Sequence, residues 1–141
     1  MKMDLLRKPN LQNLVILSSI LLLSLCNTAT SKPNTAVKLV QCNSGTYTAG
    51  DPFTISLTYV LAELENATPS RQGYDFHNIS PYPNAFAYGH AACNQTLTSA
   101  DCAACLASAK TALLGACDGR IGARSVLYDC TIRYEQYPFD D

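Results

Sequence analysis

Cysteine carries most of the chemistry this chain can offer: there are seven in 141 residues, and Cys93, Cys102 and Cys105 fall within positions 93–105. Cys102 and Cys105 stand three apart, which on a helix puts both sulfurs on one face. Such a pair supports three chemistries. Dithiol redox exchange wants an exposed thiol of lowered pKa in a βαβ setting and a reducing compartment. Zinc binding would use His90, Cys93, Cys102 and Cys105, a His-x2-Cys-x8-Cys-x2-Cys series able to close a tetrahedral site. Structural disulfides need only partners and an oxidising compartment.

The start of the chain bears on that choice. Lys2, Arg7 and Lys8 precede an apolar run over 14–25, too short to span a bilayer comfortably and the size of a secretory leader. Cleavage fits after Ser31, with Ala29 among the small residues ahead of it, and a cut after Cys26 has small residues in place as well. The competing reading is a signal anchor that stays in the membrane. We therefore expect a leader over 1–31 and a single extracellular domain over 32–141, with no further membrane span. Loss of the leader takes three basic residues and one acidic residue, leaving a net charge of about −3 with no basic cluster. That argues against nucleic acid or an anionic membrane as partner, since both need a positive patch.

Without Cys26 the set is Cys42, Cys93, Cys102, Cys105, Cys117 and Cys130. An even number in a short secreted chain reads as three disulfides, with fifteen pairings open to it. Zinc on His90 would strand Cys42, Cys117 and Cys130 as an odd set, and a redox pair sits badly in an oxidising compartment. A domain this small buries a modest core, and each bridge closing a loop of tens of residues adds about 3–4 kcal/mol on the chain-entropy estimate.

These sulfurs must be positioned by regular elements. Thr98 or Ser99 caps a helix carrying Cys102 and Cys105, with Asp101 favouring the positive end of its dipole. Its apolar stripe continues through Leu106, Ala109 and Leu113 to Cys117, with Gly115 near the stop. Upstream, 35–41 reads as a strand, and Asp51-Pro52 opens a helix over 52–66 that buries Ile55, Leu57, Val60, Leu61 and Leu64. Aromatic-rich runs at 73–79 and 85–92 read as paired strands around a proline-bearing connection. From Val126 the even positions Val126, Tyr128, Cys130, Ile132 and Tyr134 alternate with mostly polar odd ones. Period two puts Cys130 on the buried face and Glu135 on the opposite, solvated one. Strands with two helices in one disulfide-tied domain make the class α+β.

Other motifs are weaker. Asn66-Ala67-Thr68, Asn78-Ile79-Ser80 and Asn94-Gln95-Thr96 fit the N-glycosylation pattern, Asn66 best. Asn78 is followed by Ser80-Pro81, and Asn94 lies inside the cysteine cluster. No nucleophile with a nearby base stands out around the two histidines, of which His77 has no obvious partner. The carboxylates form no glycosidase pair and no calcium loop. The expectation is a non-enzyme without metal or cofactor.

The series Cys-x8-Cys-x2-Cys on Cys93, Cys102 and Cys105 resembles the signature of the plant stress-antifungal domain, the ginkbilobin-like family. The likeness extends to Asn34-Thr35-Ala36, Cys42-Asn43, Ala87-Tyr88-Gly89, Ile121-Gly122-Ala123-Arg124 and Tyr134-Glu135-Gln136. It implies an antiparallel sheet of about five strands with two helices, and the bridges Cys42–Cys117, Cys93–Cys102 and Cys105–Cys130. It further implies mannose binding through Asn43, Arg124 and Glu135. An amide, a cation and a carboxylate together match hydroxyls that both donate and accept. Without that role, Arg124 and Glu135 would make an exposed ion pair and Asn43 a turn. One departure is His90, where the family often has Arg after Tyr-Gly. The resemblance thus implies a secreted, monomeric, mannose-binding antifungal lectin acting on fungal wall glycans. The rival from another class is an extracellular protein-interaction module of the same fold that binds no sugar.

Overall fold

The computed structural model describes residues 10–12, 15 and 32–141. The leader read over 1–31, and Cys26 within it, therefore lies outside the described residues except at Asn10, Leu11, Gln12 and Val15. The segments at 1–31 and 32–141 are separate compact units. No helix among the described residues is long and apolar enough to cross a membrane.

The second unit runs β1 (Val37–Cys42), α1 (Phe53–Ala67), β2 (Asp75–Ile79), β3 (Tyr88–Cys93), α2 (Ser99–Ala116), β4 (Gly122–Leu127) and β5 (Cys130–Glu135). Every pairing is antiparallel, in the order β1-β4-β5-β3-β2. This is the α+β class, with five strands, two helices and three disulfides.

Local chemistry explains both helices. Asp51 Oδ1 accepts the Phe53 N–H at 2.9 Å, so Asp51 caps α1 one residue ahead of Pro52. Phe53, Leu57, Val60, Leu61 and Leu64 are buried at i, i+4, i+7, i+8 and i+11, one face of a helix. Ile55 falls off that face and is exposed, contrary to expectation. At α2, Thr98 Oγ1 accepts the Asp101 N–H at 3.1 Å and donates to the Asp101 carboxylate at 2.8 Å. The stripe Cys102, Cys105, Leu106, Ala109 and Leu113 is fully buried.

The last segment differs from one continuous strand. It turns at Tyr128-Asp129 into a hairpin, which reverses the phase ahead of the turn: Leu127 is buried and Tyr128 exposed. Past the turn the phase holds, and Cys130, Ile132 and Tyr134 enter the core.

Both helices pack on this inner face, α1 chiefly on β2 and β3, and α2 on β1, β4 and β5. Gly89 lets α1 approach β3, because a Cβ there would stand 2.3 Å from Val60 Cγ1. Cys93 and Cys130 are register partners on β3 and β5, and one turn of α2 reaches both. Cys102 bonds Cys93 and Cys105 bonds Cys130, with Cα separations of 5.7 and 6.0 Å. Cys117, just past the helix, bonds Cys42 at the end of β1. All six sulfurs are thereby committed. Neither the zinc series on His90, Cys93, Cys102 and Cys105 nor a Cys102–Cys105 redox pair exists in this fold.

Candidate functional site

The outer face of the sheet carries the polar chemistry. Antiparallel pairing aligns Gln41 on β1 with Arg124 on β4, Arg124 with Arg133 on β5, Arg133 with His90 on β3, and His90 with His77 on β2. One lateral row of polar side chains thus crosses all five strands. The next register position holds Gly122 opposite Glu135.

Asn43, Arg124 and Glu135, distant in sequence, line one recess of about 270 Å³ together with Gln41, Arg133 and Tyr137. Asn43 follows β1 directly and is held twice: its N–H donates to Gly122 O at 2.8 Å, and its Oδ1 accepts the Gly45 N–H at 3.0 Å. The side-chain amide remains and reaches Glu135 Oε2 at 3.4 Å. Glu135 lies on the outer face as period two requires, but it is buried rather than solvated, at 6% exposure. Its burial has a local cause. Gly122 has no Cβ, and one built there would fall 1.7 Å from Glu135 Oε2. The glycine therefore makes the room in which the carboxylate lies.

Glu135 pairs with Arg133 rather than with Arg124. Arg133 Nε donates to Glu135 Oε1 at 3.2 Å, and its other face reaches the Asp141 carboxylate. Arg133 also lies over the Phe139 ring, 4.0 Å from its centroid. Burial alone would lower the Arg133 pKa, but bonds to Asp141 and Glu135 outweigh it and the value is raised. Burial pushes the Asp141 carboxyl up; bonds from His90 and Arg133, with the charges of Arg133 and Arg124, reverse that and hold it below its ordinary range.

Arg124 is left with spare capacity. Its Nε is buried and makes no hydrogen bond among the described residues. A buried, unpaired guanidinium donor is costly unless something accepts from it. The recess thus offers a donor at Arg124, a carboxylate at Glu135 and an amide at Asn43 that can serve either way. No nucleophile–base pair lines it.

Arg133, Gln41 and Tyr137 are recess residues that the sequence reading did not single out. Arg133 carried a signal: it shares a strand face with Glu135 two positions on. Of the glycosylation candidates, Asn66 is exposed at the end of α1 and Asn78 is half-buried on β2. Asn94 is exposed, but its amide donates to Asp129 at 3.2 Å and its carbonyl accepts from Thr96.

A disulfide-riveted five-stranded sheet with two helices on one face and a polar recess on the other defines a cysteine-rich module in form. Comparison bears out the fold. The tandem DUF26 ectodomain of the Arabidopsis thaliana cysteine-rich receptor-like protein PDLP5 superposes with a TM-score of 0.67 at 18% identity, over 74% of this chain and 51% of that one. The corresponding ectodomain of PDLP8 gives 0.62 at 28% identity, over 74% and 47%. Residues 25–137 match the salt stress response/antifungal family, and the chain belongs to it. Among its relatives, antifungal protein ginkbilobin-2 of Ginkgo biloba is 37% identical over 78% of this chain and 83% of its own. A ginkbilobin-like antifungal protein of Picea glauca is 33% identical over 90% and 91%.

Proposed function

We propose that this protein is a secreted, monomeric defence lectin that binds mannose, or mannose-bearing fungal wall glycans, through Asn43, Arg124 and Glu135, and that it catalyses no reaction. The observation that carries the reading is the convergence of those three side chains on one open recess, with an Arg124 Nε that is unpaired among the described residues. Adjacent sugar hydroxyls would accept from Arg124, donate to Glu135 and exchange both roles with Asn43. The named antifungal relatives and the leader-like start over 1–31 support a role outside the cell. A shallow polar recess binds a monosaccharide weakly, on the order of millimolar, and gains avidity on multivalent glycan.

The test is retention on a mannan column with a glycan array beside it. Wild type is expected to be retained. Glu135→Gln, which keeps the shape and removes the charge, and Arg124→Gln are expected to elute freely while keeping the wild-type circular dichroism spectrum. Retention of both variants at wild-type strength would refute the assignment. Absence of glycan binding by wild type, with capture of a protein ligand that survives all three substitutions, would point to the interaction-module reading instead.

A further inference from the structure

We propose that Asp75, His77 and His90 form a binding site for a zinc-type divalent cation at the β2–β3 end of the outer face. The two histidines are register partners across these strands, and Asp75 stands two residues before His77 on the same side of β2. His77, without an evident partner in the sequence, stacks on His90 with ring centroids 3.8 Å apart. Asp75 Oδ1 lies 3.2 Å from His90 Nε2 and 3.6 Å from His77 Nδ1, and the three ligand atoms all lie within 4.8 Å of one another.

Those separations are the argument. Tetrahedral zinc with bonds of about 2.0–2.1 Å to nitrogen and oxygen sets its ligand atoms about 3.4 Å apart. Both contacts to Asp75 bracket that value. The remaining adjustment is a turn of the His77 ring out of its stack, so that its lone pair meets the other two. His77 is free to make it, since its side chain is 55% exposed.

His90 is the fixed member. Its side chain is 9% exposed, and its second nitrogen, Nδ1, lies 3.1 Å from Asp141 Oδ2. A carboxylate on the far nitrogen of a ligating histidine fixes the tautomer and leaves the near nitrogen as the donor. Asp141 is held in turn by Arg133. Two imidazoles and one carboxylate suit zinc or copper(II) rather than magnesium or calcium, which prefer all-oxygen shells. Three protein ligands leave one position for water or for an oxygen of another molecule. This site shares only His90 with the cysteine series, whose sulfurs are bonded to one another.

The disulfide-bonded protein titrated with zinc chloride tests the proposal, followed by calorimetry and by the imidazole C–H signals of its two histidines. One zinc per chain is expected, with both imidazole signals shifting at that stoichiometry and neither responding to magnesium chloride. His77→Ala, at an exposed position, is expected to weaken zinc binding at least tenfold. Asp141→Asn should weaken it about tenfold by freeing the His90 ring. Failure of wild type to bind zinc would overturn the site. So would an isotherm that His77→Ala leaves unchanged, or zinc binding that moves neither imidazole signal. None of these readouts depends on sugar binding.

Discussion

The two faces of one sheet obey different physics. The inner face is apolar and covalently pinned: Ile132 and Tyr134 meet the helices, and two disulfides tie β3 and β5 to a single turn of α2. The outer face is a row of amides, guanidinium groups and imidazoles that neither α1 nor α2 covers. Its order comes from ion pairs, from the segment after β5 folding back through Phe139 and Asp141, and from the single missing Cβ of Gly122. Polar groups on a flexible surface lose definition, so a precise outer face needs a stiff inner one. The bonds that exclude chemistry from the cysteines also pin two of the strands that carry the polar row.

The sharpest way to break this contrast is to cut the inner face. Replacing Cys105 and Cys130 together by Ser opens a loop of sequence separation 25. It is expected to cost about 3–4 kcal/mol and lower Tm by about 10–20 °C, with mannan retention falling as register loosens. Full retention at a lowered Tm would show that the two faces are independent.

Gly122→Ala reverses the emphasis. Its Cβ displaces the Glu135 carboxylate from its place beside Asn43, at a cost of about 1–2 kcal/mol. Sugar binding should weaken at least tenfold, measured by titration with mannose oligomers, while the disulfides and inner core stay intact. An unchanged affinity would mean that the position of Glu135 is not what the recess needs.

The smallest effect is electrostatic. The native Asp141 carboxyl titrates below its ordinary value, so its contribution is fully present above about pH 4 and lost as pH falls through the lower native value. Asp141→Asn should therefore be less stable than wild type at pH 6, by less than about 1 kcal/mol because the pair is screened. The difference should close on acidification, as chemical denaturation at a series of pH values would reveal. A gap that persisted in acid would assign the loss to packing instead.

Much of the fold was legible because it is written in local signals. Thr98 with Asp101, and Asp51 before Pro52, announce helix starts through the hydrogen bonds they make within three residues. The alternation from Cys130 to Tyr134 announces a half-buried strand. Where neighbours across the sheet or the chain's return path decide, the reading failed. Ile55 is apolar yet points away from the core, because Phe53, Leu57 and Val60 already define the helix face. Tyr128 continues the alternation in the sequence, but it sits in the turn of a hairpin and is exposed. Glu135 reads as a solvated outer residue and is buried, since only pairing with β4 sets it over Gly122.

The sequence by itself determined the helices, the phase of β5, and a cysteine set whose number and spacing call for an oxidised scaffold, because these rest on contacts within a few residues. Tertiary structure alone decided that Gln41, Arg124, Arg133, His90 and His77 form one row, and that Asn43 and Glu135 meet across 92 positions. Strand order and register are properties of pairing between distant segments, and side chains on an uncovered face gain their neighbours only when that pairing is complete.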